Sequence, residues 1–432
     1  MKFKRLRKLV ASGWFIPMAY TFMSLLVGVT FPRVEHFFLP DLVSTMSAAS
    51  AMSVCSSIAS GMIALTGIVF SLTFLMVQFS ATAYSPRLVV WVSRDPVVSH
   101  ALGVFISTFL YALIMLAWVD RNSSGRVPFI SSWMVVGLLV ASMAMFIALI
   151  ERITLLQINR MLVFTGNQGR NSIEELYPAI GSVRAQGAIV NYERKNPTQT
   201  IAYLGRPGVV QSIQLKQLIN QATKSGAVVE VLVTVGDAVV EMTPLVRVFE
   251  SKTQLDENAL REAISIGDER TFEQDPKFAL RIIVDIAIKA LSPAINDPTT
   301  AVQALDQIED LLLRLGNHFL DIGAFKDKEG NLRLIVPFPS WDDFLQLSLA
   351  EIRQYGADSV QVMRRMKALL RNLQPLLPEE RRPALQHWEQ SLNQTISRSF
   401  EELADRIAAS VADRQGLGVG QTPPAAAAQT QT

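Results

Sequence analysis

Cysteine is nearly absent: Cys55 stands alone in 432 residues, which excludes an internal disulfide and any cysteine-based metal cluster. Histidine is almost as scarce, and neither His318 nor His387 has a partner at metal-ligand spacing. The chain contains no G-x-x-x-x-G-K-[ST], no H-E-x-x-H and no G-x-S-x-G. No cofactor or metal is therefore expected, and nothing names a catalytic residue. Charge is also thin, at 18% against 50% apolar residues. Residues 1–160 hold 12 Lys or Arg and 5 Asp or Glu, whereas residues 161–432 hold 28 and 33. The acidic second half argues against a nucleic-acid partner, which requires a basic face.

What is present is length without charge. Lys8 to Arg33, Asp95 to Asp120 and Arg126 to Glu151 each enclose 24 residues free of Asp, Glu, Lys and Arg. Asp41 to Arg87 encloses 45. About 20 apolar residues cross a hydrocarbon core about 30 Å thick. Four spans are expected, near residues 12–32, 54–79, 97–119 and 131–152. The first follows KFKRLRK but lacks a small-x-small cleavage site before Pro32, so it reads as a retained anchor. Basic residues crowd the N-terminal tail, the loop holding Arg87 and Arg94, and the segment with Arg152, Arg160 and Arg170. The positive-inside rule then places both termini in the cytoplasm.

Beyond Ile158 a polar connector is expected, followed by short strand signals. GAVVEVLVTVGDAVVEMTPLVRVF, with a Gly-Asp turn at 236–237, reads as a hairpin or small β-layer. From Leu260 the pattern is helical, apart from LRLIVPF. The expected organisation is a membrane α-helical domain over 1–160, a connector and β-rich subdomain over 161–255, and a helical subdomain over 256–413. Residues 414–432 read as a disordered tail. The fold class is thus a four-helix membrane domain joined to a cytoplasmic α+β domain.

The second span carries Ser53, Ser57, Ser60, Ala64, Gly67, Ser71 and Gln78 at heptad-like intervals. Small residues let helix backbones approach closely, and serine hydroxyls can bond across the contact. Two readings stay open: tight helix packing, within the chain or in a homo-oligomer, or a polar stripe lining a water-filled path. After this span, Arg87 and Arg94 flank the apolar LVVWV and are candidates for anionic headgroups of the lipid bilayer. His100 is expected near headgroup level.

The most structured soluble stretch runs from Asp275 to Asp297. Asp275-Pro276 and Asp297-Pro298 each place a capping carboxylate before proline, a helix-start device. Lys277, Arg281, Asp285 and Lys289 recur every fourth residue, so one polar stripe interrupts an otherwise apolar helix. Ser292-Pro293 ends it. Asp275, Asn296 and Asp297 are candidates for a ligand or divalent cation, set against the plainer reading of caps around a corner. Farther on, Ser340 and Asp343 resemble a capping box. Arg364, Arg365, Lys367 and Arg371 read as a solvated basic face.

SPRLVVWVSRD, GDERTFEQDPKFALRIIVDIA and KALSPAINDPTTA together resemble the bacterial membrane-protein family termed domain of unknown function 2254. The matching positions are Ser85, Pro86, Arg87, Arg270, Gln274, Asp275, Ser292, Pro293, Asn296, Asp297 and Pro298. The resemblance implies a bacterial inner-membrane protein with N-terminal spans and a cytoplasmic domain, and it supplies no activity. Three functional classes follow: an oligomeric channel or transport-related protein with a cytoplasmic vestibule or gate, a membrane-anchored regulator or scaffold that binds a ligand or partner, and a membrane enzyme using the acidic loops.

Overall fold

The computed structural model describes residues 15–39, 44, 46–83, 96–119, 127–154, 158–180 and 196–418. The chain divides into two units, Met1–Ile158 and Asn159–Thr432.

Among the described residues, four helices build the first unit: α1 (Phe15–Phe38), α2 (Ala48–Ala83), α3 (Pro96–Trp118) and α4 (Phe129–Thr154). Each is long and apolar enough to cross a membrane. The 45-residue uncharged interval thus holds one unbroken helix, and α1 continues past Arg33 and Glu35 to Phe38. Helix α3 is the hub, packed against α1, α2 and α4. Its contact with α1 is close because glycine permits it. A Cβ on Gly103 would lie 2.7 Å from Tyr20 Cδ2, and one on Gly28 would lie 2.9 Å from Ile114 Cδ1. Some polar atoms in the bundle are satisfied locally, although the Ser107 Oγ and Tyr111 hydroxyl of α3 are buried without a partner among the described residues. The Ser24 hydroxyl donates to the Ser107 carbonyl at 2.8 Å, and the Thr108 and Ser142 hydroxyls, joining α3 to α4, are 2.9 Å apart. His100 sits edge-on to Tyr20, its Nδ1 3.2 Å from the tyrosine hydroxyl.

Glu35 would be costly to bury, yet it is only 4% exposed. The start of α4 explains it. Glu35 accepts from the Ile130 amide at 2.7 Å and the Ser131 amide at 2.9 Å, and also from the Ser131 hydroxyl. Free amides at a helix N-terminus attract an anion, so one carboxylate caps a neighbouring helix.

The second unit opens with α5 (Ile158–Leu176), where a connector was expected. Its register explains the difference: Met161, Leu162, Thr165 and Ile173 share one buried face, and polar residues cover the other. Two small sheets follow, built from β1 (Gln199–Ala202), β2 (Gly208–Ile213), β3 (Val228–Val231), β4 (Ala238–Val239), β5 (Pro244–Phe249), β6 (Ile264–Gly267), β7 (Ala324–Lys326) and β8 (Leu332–Ile335). One has the order β1-β5-β3-β8-β7 and the other β4-β2-β6. Only β3 and β8 pair in parallel. The Gly236-Asp237 turn therefore closes no hairpin; it carries the chain from β3 in one sheet to β4 in the other. Val229, Val231, Val246 and Val248 form the shared core with Leu218 and Ala222 of α6 (Leu215–Ser225).

The remainder is helical. After the short α7 (Glu257–Glu262) come α8 (Pro276–Ala290), α9 (Pro298–Gly316), α10 (Trp341–Tyr355), α11 (Val360–Leu376), α12 (Arg382–Ser399) and α13 (Leu403–Ser410). Helix α10 begins with the full capping box between Ser340 and Asp343. The basic residues of α11 divide: Arg371 stays exposed and pairs with Glu389 at 3.0 Å, whereas Arg365 and Lys367 are buried. Arg365 is 4% exposed and pairs with Asp306 at 2.8 Å and Glu309 at 2.6 Å. Lys367, also buried, donates to Asn393 Oδ1 at 2.8 Å, and Arg364 donates to the Ala408 carbonyl. Helices α9, α12 and α13 pack over α11 and turn an apparent surface into an interior.

Candidate functional site

The two Asp-Pro corners lie beyond opposite ends of α8. Fifteen helical residues separate them, or about 22 Å. Asp275 and the Asn296-Asp297 pair therefore do not share one ligand sphere. Among the described residues no group of three His, Cys, Asp or Glu side chains is placed to hold a metal.

The Asn296 corner is accounted for by backbone geometry. The Ser292 hydroxyl donates to the Lys289 carbonyl at 2.7 Å, and the Asn296 amide donates to the Ser292 carbonyl at 2.9 Å. Asn296 takes a left-handed φ of 49°, which its short polar side chain tolerates. Asp297 then caps α9, accepting from the Thr300 amide at 3.1 Å and its hydroxyl at 2.6 Å.

The Asp275 corner gathers more. Asp275, 1% exposed, caps α8 by accepting from the Phe278 amide at 3.1 Å. Arg270 grips it with two nitrogens, Nε to Oδ2 at 2.9 Å and Nη2 to Oδ1 at 2.9 Å. The same guanidinium lies 5.2 Å from the Phe278 ring centre. Burial pushes the Asp275 carboxyl up, against the downward pull of Arg270. Gln274, at a φ of 55°, accepts from the Ile213 amide at 3.0 Å and ties the end of β2 to this corner. The Gly-Asp turn closes over it. A Cβ on Gly236, whose φ is 94°, would lie 2.7 Å from Arg270 Nη2, so only glycine fits.

Beside this network is a cavity of about 30 Å³ lined by Tyr177, Thr234, Gln274 and Lys277 with Leu176 and Phe338. That is room for about two water molecules. Lys277 Nζ donates to the Thr234 hydroxyl at 3.1 Å, which in turn donates to Asp237 at 2.9 Å. Burial lowers the Lys277 ammonium's pKa, while Asp275, Asp237 and Asp343 oppose the shift and Arg270 adds to it. The Tyr177 hydroxyl is buried without a hydrogen-bond partner among the described residues, and burial raises its pKa. Tyr177, Thr234 and Lys277 thus line one small, partly open cavity. Such a set can hold a small polar molecule, and among the described residues no histidine or cysteine lines the cavity.

Sequence reasoning reached Asp275 as a cap and placed Lys277 on a charged stripe. It missed Tyr177, which stood in the expected connector, and Thr234, which precedes the turn. The glycine of that turn was the only local signal. Farther along the stripe, Arg281 donates to Asp285 at 2.6 Å and to Glu351 at 2.8 Å.

In the first unit, the small-residue positions of α2 share one fate. Ser53, Ser57, Ser60, Ala64, Gly67, Ser71 and Gln78 are all exposed, while Ala51, Cys55, Ile58, Ala59, Met62 and Val69 face the bundle. A Cβ on Gly61 or Gly67 would meet nothing within 4 Å. Among the described residues, the seam is not the surface on which α2 packs. Arg87 and Arg94 lie outside the described residues, as do residues 419–432 of the tail.

Comparison with known proteins gives a consistent picture. The family model described as "Predicted membrane protein (DUF2254)" matches residues 11–372. An uncharacterised protein of Mycobacterium bovis is 29% identical over 369 residues, covering 82% of this chain and 70% of its own. An uncharacterised protein of Mycobacterium tuberculosis aligns with the same identity and coverage. No solved structure matches.

Proposed function

Since the chain belongs to the membrane-protein family termed domain of unknown function 2254, we propose that it works as an assembly of identical subunits meeting along the small-residue face of α2. In this reading the assembly has a channel or transport-related role in a bacterial inner membrane, with both termini cytoplasmic and the C-terminal unit regulating it. The supporting observation is the orientation of α2. A helix that turns Ser53, Ser57, Ser60, Gly61, Ala64, Gly67 and Ser71 away from its own bundle presents lipid with a surface of poor packing value. The same surface suits close approach of a second helix, or contact with water. Ser71 already donates to the Gly67 carbonyl at 3.0 Å, so its hydroxyl is tolerated in either setting.

The test is oligomeric state in detergent and lipid nanodiscs, followed by ion flux in liposomes. An oligomer that conducts, with conductance altered by Ser60→Leu, Gly67→Leu or Ser71→Leu, is the expected result. A monomer without flux ends this reading. A C-terminal reporter checks the topology.

The cavity between Tyr177 and Lys277 favours a second reading, a membrane-anchored regulator that senses a small polar ligand. A thermal-shift screen of small metabolites on the full-length protein tests it. A stabilising hit lost in both Tyr177→Phe and Lys277→Met supports it, and an empty screen removes it.

A further inference from the structure

Among the described residues of the first unit, Arg33 is a charged group that faces outward at the end of an apolar groove. It belongs to α1, is exposed, and has no carboxylate within ion-pair distance among the described residues. Its guanidinium lies 5.4 Å from the Trp118 ring centre at the end of α3. From there an open groove of about 600 Å³ runs between α1 and α3, walled by Val29, Leu110, Leu113 and Ile114.

The depth of Arg33 is set independently of the groove. Glu35, two residues on, caps the first turn of α4, so the end of α1, the end of α3 and the start of α4 lie at one level. That level is rich in aromatic side chains: Phe37, Phe38 and Trp133 are 79%, 71% and 59% exposed, and Phe129 and Trp133 lie against each other. Aromatic residues collect where hydrocarbon meets headgroups. The guanidinium therefore sits at headgroup height, and the groove descends into the acyl region.

We propose that this groove binds one anionic glycerophospholipid, its phosphate on Arg33 and an acyl chain along Val29, Leu110, Leu113 and Ile114. Guanidinium matches phosphate oxygens through parallel N–H donors and is weakly hydrated, which suits a site at the edge of the apolar layer. Neighbouring acid cannot substitute, because the Glu35 carboxylate is occupied by the amides of α4. With no carboxylate adjacent among the described residues, the site favours a headgroup with net negative charge over one that carries its own cation. The α2 face takes no part, so this site stands or falls separately from the assembly.

The experiment is native mass spectrometry of the delipidated full-length protein in detergent, titrated with phosphatidylglycerol or phosphatidylcholine. The wild type is expected to retain one phosphatidylglycerol in preference to phosphatidylcholine. Arg33→Gln is expected to lower phosphatidylglycerol binding about tenfold, the effect of one charge-assisted contact. Arg33→Lys restores part of it, and Ala117→Phe, at a further residue lining the groove, obstructs it and weakens both lipids. Inorganic phosphate at millimolar concentration leaves the bound lipid in place. Equal retention of the two lipids, or unchanged binding in both Arg33→Gln and Ala117→Phe, overturns the proposal. So does displacement by inorganic phosphate, or a disulfide between two copies of Leu113→Cys, which means that a second subunit fills the groove.

Discussion

Helices α1 and α2 are both punctuated by small residues, and they use them in opposite ways. On α1, Ser24 and Gly28 face inward with Pro17, Pro32 and Glu35, and the facing Gly103 of α3 admits Tyr20. On α2, Gly61 and Gly67 open onto empty space, and the larger Ile58, Met62 and Val69 make the contacts. A small residue therefore marks close approach only where a partner of matching shape is supplied. On α2 no such partner lies among the described residues. The two Asp-Pro corners teach the same lesson. They share one helix-starting device, yet Asp275 is buried under Arg270 and Asp297 remains half-buried with only its own turn.

These contrasts can be broken by mutation. The largest effect is expected at Asp275. Asp275→Ala leaves Arg270 without its buried partner and should cost about 3 kcal/mol, the low end for a buried pair because the Arg270 side chain is 26% exposed. Chemical unfolding of the full-length protein in detergent measures it. Next comes Gly103→Leu, which drives a side chain into Tyr20 and should destabilise the helical unit by about 1–3 kcal/mol. Asp297→Ala removes one cap and should cost about 1 kcal/mol; a loss equal to that of Asp275→Ala would erase the distinction between the corners. Gly67→Leu should change the unfolding of a single chain by less than about 0.5 kcal/mol, yet disrupt assembly on size-exclusion with light scattering. If it destabilises the monomer as Gly103→Leu does, the contrast between α1 and α2 is lost.

The smallest effect concerns pH. Burial holds Lys277 below the ordinary 10.5, so the unfolded chain binds more protons between the folded value and 10.5. Stability therefore rises with pH through that window, and Lys277→Met should remove this part of the rise. Thermal unfolding of both proteins from neutral to alkaline pH provides the check.

Much of the fold was legible because its signals are local. Uncharged length marks a spanning helix, Asp-Pro marks a helix start, and Ser340 with Asp343 marks another. What escaped depended on distant partners. Arg365 and Lys367 look solvated along α11, until α9 and α12 supply Asp306, Glu309 and Asn393. The 159–176 segment looks like a connector because its polar residues dominate the composition, although its apolar residues share one face. Tyr177 carries no local mark at all, since its isolation arises from strands and helices that arrive from elsewhere in the chain.

From the amino acids alone come the four apolar helices, the scarcity of cysteine and histidine and the corners around α8, because composition is fixed residue by residue, and hydrophobic length, proline and capping act within a few residues of themselves. The fold decided which face of α2 is left open, which charges are interior, and where Arg33 meets a groove. Those outcomes depend on what packs against each surface, and packing is a property of neighbours that the chain brings together only when it folds.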